Sequence, residues 1–149
     1  MLFDRCLVFA LVENFFEEIA PLRCFGFLHE PTFMQQLEMG SDEKDPLLYA
    51  VCALATKATG RRELWDAGSD WAEKGTRDGT RCRRRLQCTH NLKCIVLLHE
   101  HAARIVCLSL CFVFSGLAAR FCQALQLNVE CDFDIMSTTS RRRKRLAEG

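Results

Sequence analysis

The stretch DPLLYAVCALATKATG, residues 45–60, decides the fold. Asp45 carries the short carboxylate that caps a helix, and Pro46 follows at the first helical position, where its missing N–H costs no hydrogen bond. Leu47, Ala50, Val51, Leu54 and Ala58 then recur at three- and four-residue spacings, and Gly60 supplies a stop. Cap, stripe and stop agree, so the segment is predicted to be an apolar-faced helix.

The same grammar holds on the N-terminal side. In PTFMQQLEMG, residues 31–40, Pro31 suits a first helical turn, Phe33, Met34 and Leu37 share a face, and Gly40 ends it. Glu30 is an acidic residue placed where the helix dipole favours it. Further back, Val8, Leu11, Val12, Phe15, Phe16 and Ile19 form a helical stripe opposite Glu13, Glu17 and Glu18, ending at Pro21.

Toward the C-terminus the pattern weakens. Gly68, Gly75 and Gly79 interrupt residues 61–80, which predicts a loop with a short helix around Leu64, Trp65, Trp71 and Ala72. Asn91 can cap a helix to about Val106, with Leu92, Ile95, Leu98, Ala102 and Ile105 in phase. Ser115-Gly116 then opens LAARFCQALQLN, where Leu117, Phe121 and Leu125 recur and Asn128 can adopt the left-handed conformation that ends a helix. No strand alternation or internal repeat is present, so the chain is expected to be all-α, with about five or six packed helices.

Charge is uneven along the 149 residues. Residues 1–56 hold three basic and nine acidic side chains, and residues 57–149 hold seventeen basic and ten acidic ones. The basic groups concentrate at Arg81–Arg85 and at Arg141, Arg142, Arg143, Lys144 and Arg145, where a solvated run and a nuclear import signal are equally good readings of the second. Ten cysteines would suit a disulfide scaffold in a secreted chain, but Asp4, Glu13, Glu17 and Glu18 disfavour a signal peptide, and several thiols sit among apolar neighbours as in a reducing compartment. The apolar run at 105–119, between Arg104 and Arg120, is shorter than the roughly 18 residues that a spanning helix needs. A buried helix pair is favoured over a membrane anchor.

Candidate chemistry is thin. In His99-Glu100-His101 the two imidazoles point about 200° apart on a helix, so they cannot share one ion, as a spacing of four would allow. Cys82, Cys88, His90 and Cys94 have soft ligands, but the chain contains no Cys-x-x-Cys pair and their spacing fits no common finger. No nucleophile elbow, phosphate loop or dinucleotide fingerprint occurs. Neither a metal nor catalysis is expected.

Three blocks in order, FFEEIAPLRCFGFLHEPTFMQQL, DPLLYAVCALA and SGLAARFCQALQLNVECDFDI, resemble the regulatory middle homology region of fungal-specific transcription factors. The resemblance rests on Leu28, His29, Pro31 and Phe33, then on Gly116, Leu117, Ala118, Arg120, Leu125 and Asn128, and covers residues 12–135 between an N-terminal lead-in (1–11) and a basic tail (136–149). It implies a non-enzymatic, nuclear, all-α regulatory domain in which His29 is structural. The implied partners are other parts of a transcription factor or a regulatory protein, with DNA reached only indirectly and a small-molecule effector in some members. In that family a zinc cluster reads DNA. Its cysteine pattern is absent here, so zinc is implied only for a missing module and no cofactor is expected in this chain. The region looks truncated, lacking the polar turn expected between residues 104 and 115 and the aromatic helix expected after the tail, which leaves Val106–Phe114 as an unpartnered apolar face. The alternatives are a small membrane-associated helical protein anchored by residues 105–119, a helical metalloenzyme using His90, His99 and His101, or a non-functional gene fragment.

Overall fold

The computed structural model describes residues 4–22, 25–40, 45–80 and 85–127, with side chains in the last segment from Thr89 onward. These residues form six α-helices and no strand: α1 Arg5–Asn14, α2 Glu30–Glu38, α3 Pro46–Ala58, α4 Trp65–Gly79, α5 Arg85–Arg104 and α6 Leu108–Ala124. The all-α expectation holds.

Local chemistry sets the first three. Asp4 Oδ1 accepts from the Cys6 N–H at 3.1 Å to start α1, and Asp45 Oδ1 accepts from the Leu47 N–H at 2.9 Å to start α3. Gly40 and Gly60 follow α2 and α3 with φ of 70° and 64°, a left-handed conformation that costs glycine nothing. After α1 the chain widens into a π-helical turn, Phe15–Ile19, and then a 3₁₀ turn, Ala20–Leu22. Pro21 explains this: its ring would strike the carbonyl four residues back in a regular helix.

Helix α3 is the centre of the core. Every residue from Leu47 to Thr56 is buried, because α1 with its π turn, α4 and α5 all pack on it. The whole predicted N-terminal stripe, Val8, Leu11, Val12, Phe15, Phe16 and Ile19, is buried too. Burying each such side chain contributes about 1.5–3 kcal/mol before entropy is charged against it. Phe15 stacks on Phe25 at 5.9 Å and Phe16 meets Phe33 edge-on at 5.8 Å, which fastens the π-helical turn to α2 and to the segment leading into it.

Three sequence expectations are corrected. Residues 65–79 form a full helix rather than a loop with a short one, and its glycines are the reason α4 can lie where it does. A Cβ on Gly68 would stand 2.2 Å from Thr56 Oγ1, and one on Gly79 would stand 2.7 Å from Cys94 Sγ. Each glycine weakens the isolated helix by about 1 kcal/mol relative to alanine, and the close approach of α3 and α5 offsets that loss. Second, Asn91 does not start a helix: α5 begins at Arg85, and Asn91 lies inside it, fully buried.

Third, α6 runs straight through Ser115-Gly116. The expected polar turn before it is replaced by backbone geometry: Val106 takes φ 57°, the Cys107 N–H donates to Ala102 O at 2.9 Å, and the Val106 N–H donates to Ala103 O at 3.1 Å. This two-bond arrangement closes a helix without any polar side chain. It recurs at the other end, where Gln126 (φ 58°) is the left-handed residue and the Leu127 N–H donates to Cys122 O at 3.0 Å. Asn128, expected in that role, lies outside the described residues, as do Arg141–Arg145.

Candidate functional site

Helix α6 packs on α5 through buried Phe114, with Cys111, Leu117, Ala118 and Phe121 partly covered. Its opposite face is apolar and open: Phe112 is 78% exposed, Leu108 67% and Val113 55%, beside Val106 at 78%. Contiguous apolar faces are uncommon on the surfaces of monomeric proteins. Of the stretch Val106–Phe114, expected to lack a partner, Val106, Leu108, Phe112 and Val113 are exposed among the described residues, while Phe114 turns into the core.

A groove of about 420 Å³ runs between α4, α5 and α6, walled by Ala72, Leu98, Ala102, Ile105, Leu110 and Phe114. His101 also lines it and is only 3% exposed. Burial, and then the positive charge of Lys57, push its imidazole down to about 4, so it is neutral at ordinary pH. Its Nε2 has no hydrogen-bond partner among the described residues. The neighbouring groups do not form a metal set with it: His99 is half-buried on another side of α5, and Glu100 pairs with Arg104 at 3.2 Å.

The Leu28-His29-x-Pro31-x-Phe33 motif builds a second concavity of about 440 Å³. Leu28 and Phe33 are buried, Pro31 sits in the first turn of α2, and His29 occupies the position just before that helix. His29 does not cap the backbone; its Nδ1 bonds Thr32 Oγ1 at 2.8 Å. The walls are completed by Phe27, Gln36, Asp45, Leu47, His90 and Lys93. Asp45 has a double role that the sequence did not reveal: the oxygen that caps α3 also meets His90 Nε2 at 2.6 Å, tying α3 to α5. A cap residue and a histidine 45 positions apart carry no local signal of such a contact.

The second motif stretch falls on α6. Gly116 faces open space, Leu117 and Ala118 are half-buried, Arg120 is exposed and Leu125 closes the helix. It sits on a different helix from the His29 motif.

Among the described residues no group of three or more His, Cys, Asp or Glu could hold a metal ion. Cys52 and Cys94 are buried thiols that burial pushes up to about 12, with Asp45 and Asp78 adding to the rise at Cys94. Such groups stay protonated, as thiols packed in a core do. Cys82 and the side chain of Cys88 lie outside the described residues. No helix among the described residues is long and apolar enough to cross a membrane.

The fungal specific transcription factor domain matches residues 12–148 of the chain. The chain is also 30% identical over 132 residues to a Zn(2)-C6 fungal-type transcription factor, FTF1c, of Fusarium oxysporum f. sp. lycopersici, an alignment that covers 83% of this chain and 14% of that protein. It thus spans about a seventh of the length of that relative. No solved structure matches. An all-helical core fits the match, and the chain belongs to the fungal specific transcription factor domain family.

Proposed function

We propose that the chain is a non-enzymatic regulatory and interaction domain of a nuclear fungal transcription factor. Zinc-dependent DNA reading would lie in another module of the factor, as the name of the Fusarium relative suggests. The observation that carries the reading is the family match over residues 12–148, and the exposed α6 face supplies the physical means. In this reading residues 12–135 are the regulatory region, and Leu28, His29, Pro31 and Phe33 hold the entrance of α2. The α6 motif residues Gly116, Leu117, Ala118, Arg120 and Leu125 position the helix that presents Leu108, Phe112 and Val113. The surface engages other parts of the factor or a regulatory protein, and the tail Arg141–Arg145 serves nuclear import.

A reporter assay tests this. The chain is placed between an unrelated DNA-binding module and an activation module, against a flexible linker of equal length. The expected result is a change in output of about fivefold or more, the lower range of typical regulatory coupling. The change should be lost in a Leu108→Ser, Phe112→Ser variant that keeps its helical spectrum. Output equal to that of the linker refutes the reading.

A further inference from the structure

We propose that the cleft between the 25–29 turn, α2, the start of α3 and α5 binds a small organic carboxylate, its charge held by Lys93 and His29 and its apolar body lying on Phe27, Leu28, Phe33 and Leu47. The volume of about 440 Å³ lies within the range of small-ligand sites, and the lining is more polar than apolar, with Phe27, Leu28, Phe33 and Leu47 as its apolar part.

Charge selects the ligand. Asp45 is the one carboxylate among the described lining residues, and its Oδ1 is already engaged by the Leu47 N–H at 2.9 Å and by His90 at 2.6 Å. Lys93 is half-buried and forms no ion pair among the described residues, so its ammonium is a cation of the cleft without a direct carboxylate partner there. His29 is oriented by its bond to Thr32. When Thr32 Oγ1 donates to Nδ1, the ring proton resides on Nε2, which becomes the donor of the ring. One ammonium and one imidazole N–H match the two oxygens of a monoanion.

A phosphate fits less well. The described lining residues include no guanidinium, the Leu47 N–H at the start of α3 is served by the Asp45 cap, and the first turn of α2 carries Glu30 and Pro31. A dianion would be left short of positive charge. The cleft adds an effector class to the regulatory reading above but is tested by binding alone, so a failed reporter assay and a failed binding assay are separate results.

The test follows NMR shifts of the whole 149-residue chain during titration with 3-phenylpropionate and with hexanoate, using 3-phenylpropan-1-ol as the uncharged control. The expected result is saturable binding of at least one carboxylate, with shifts at Leu28 and Phe33 and affinity about tenfold or more above that of the alcohol. Lys93→Gln should weaken binding about tenfold with an unchanged circular dichroism spectrum, and His29→Gln should weaken it less. Equal affinity for acid and alcohol, an undiminished Lys93→Gln variant, or no saturable binding of either carboxylate would each overturn the proposal.

Discussion

Replacing Gly68 with alanine should destabilise the protein by about 1 kcal/mol, although alanine is the better helix former. The new methyl would stand 2.2 Å from Thr56 Oγ1 and 3.2 Å from Thr56 Cβ. Thr56 cannot yield easily: it is fully buried, and its hydroxyl donates to Ala53 O at 2.8 Å. Relief requires α3 and α4 to part by about 1 Å, or Thr56 to rotate and leave a buried hydroxyl unpaired, and either costs about 1–3 kcal/mol. Against this stands a propensity gain of about 1 kcal/mol. Gly116→Ala makes the same chemical change inside α6, where nothing lies within 4 Å of the new methyl. Only the propensity remains there, so that variant should gain about 1 kcal/mol. Denaturant unfolding followed by far-ultraviolet circular dichroism compares the two. The double variant Gly68→Ala, Thr56→Ala should lose less than the sum of the single losses, since the obstacle is gone. A Gly68→Ala protein as stable as its parent would show that α4 does not approach α3 in this way.

Two further outcomes are expected. His101 has a folded-state pKa of about 4 against 6.5 for the free side chain, so the unfolded chain binds its proton first. The stability this group confers is whole above pH 6.5 and falls away as pH drops toward 4, by about 3 kcal/mol for the full shift. Unfolding midpoints at pH 7 and pH 4.5 (roughly the two ends of that window) should differ more for the parent than for His101→Phe, and equal slopes would contradict the burial of a neutral imidazole. Val106→Gly should raise stability by about 1 kcal/mol, because a β-branched residue is strained at φ 57° and its side chain, 78% exposed, gives up little packing. A lower midpoint in thermal unfolding would mean that the side chain has a packing role at this turn.

The legible parts of the fold were those set within a few residues. Asp4, Asp45, Pro31, Pro46, Gly40 and Gly60 act on their own turns, and the Val8–Ile19 stripe has one periodicity whatever surrounds it. The open apolar face of α6 could be anticipated for the same reason, since a run without charged residues, apolar apart from its serines, cannot hide all its sides on one neighbour. The His29 cleft could not. Asp45 appears as a complete cap by itself, and nothing near it in the chain points to His90.

The sequence by itself determined the helical class, the caps of α1 and α3, the buried face of the N-terminal stripe and the family resemblance, because each rests on local spacing. Tertiary structure decided the rest. It made Gly68, Gly75 and Gly79 a contact face instead of breakers, placed Asn91 inside α5, and let Val106 and Gln126 turn the chain where Ser115-Gly116 and Asn128 had seemed the natural positions. The physical reason is common to all three: a local cost of about 1 kcal/mol is outweighed when a close helix contact or a completed set of backbone hydrogen bonds is gained in return.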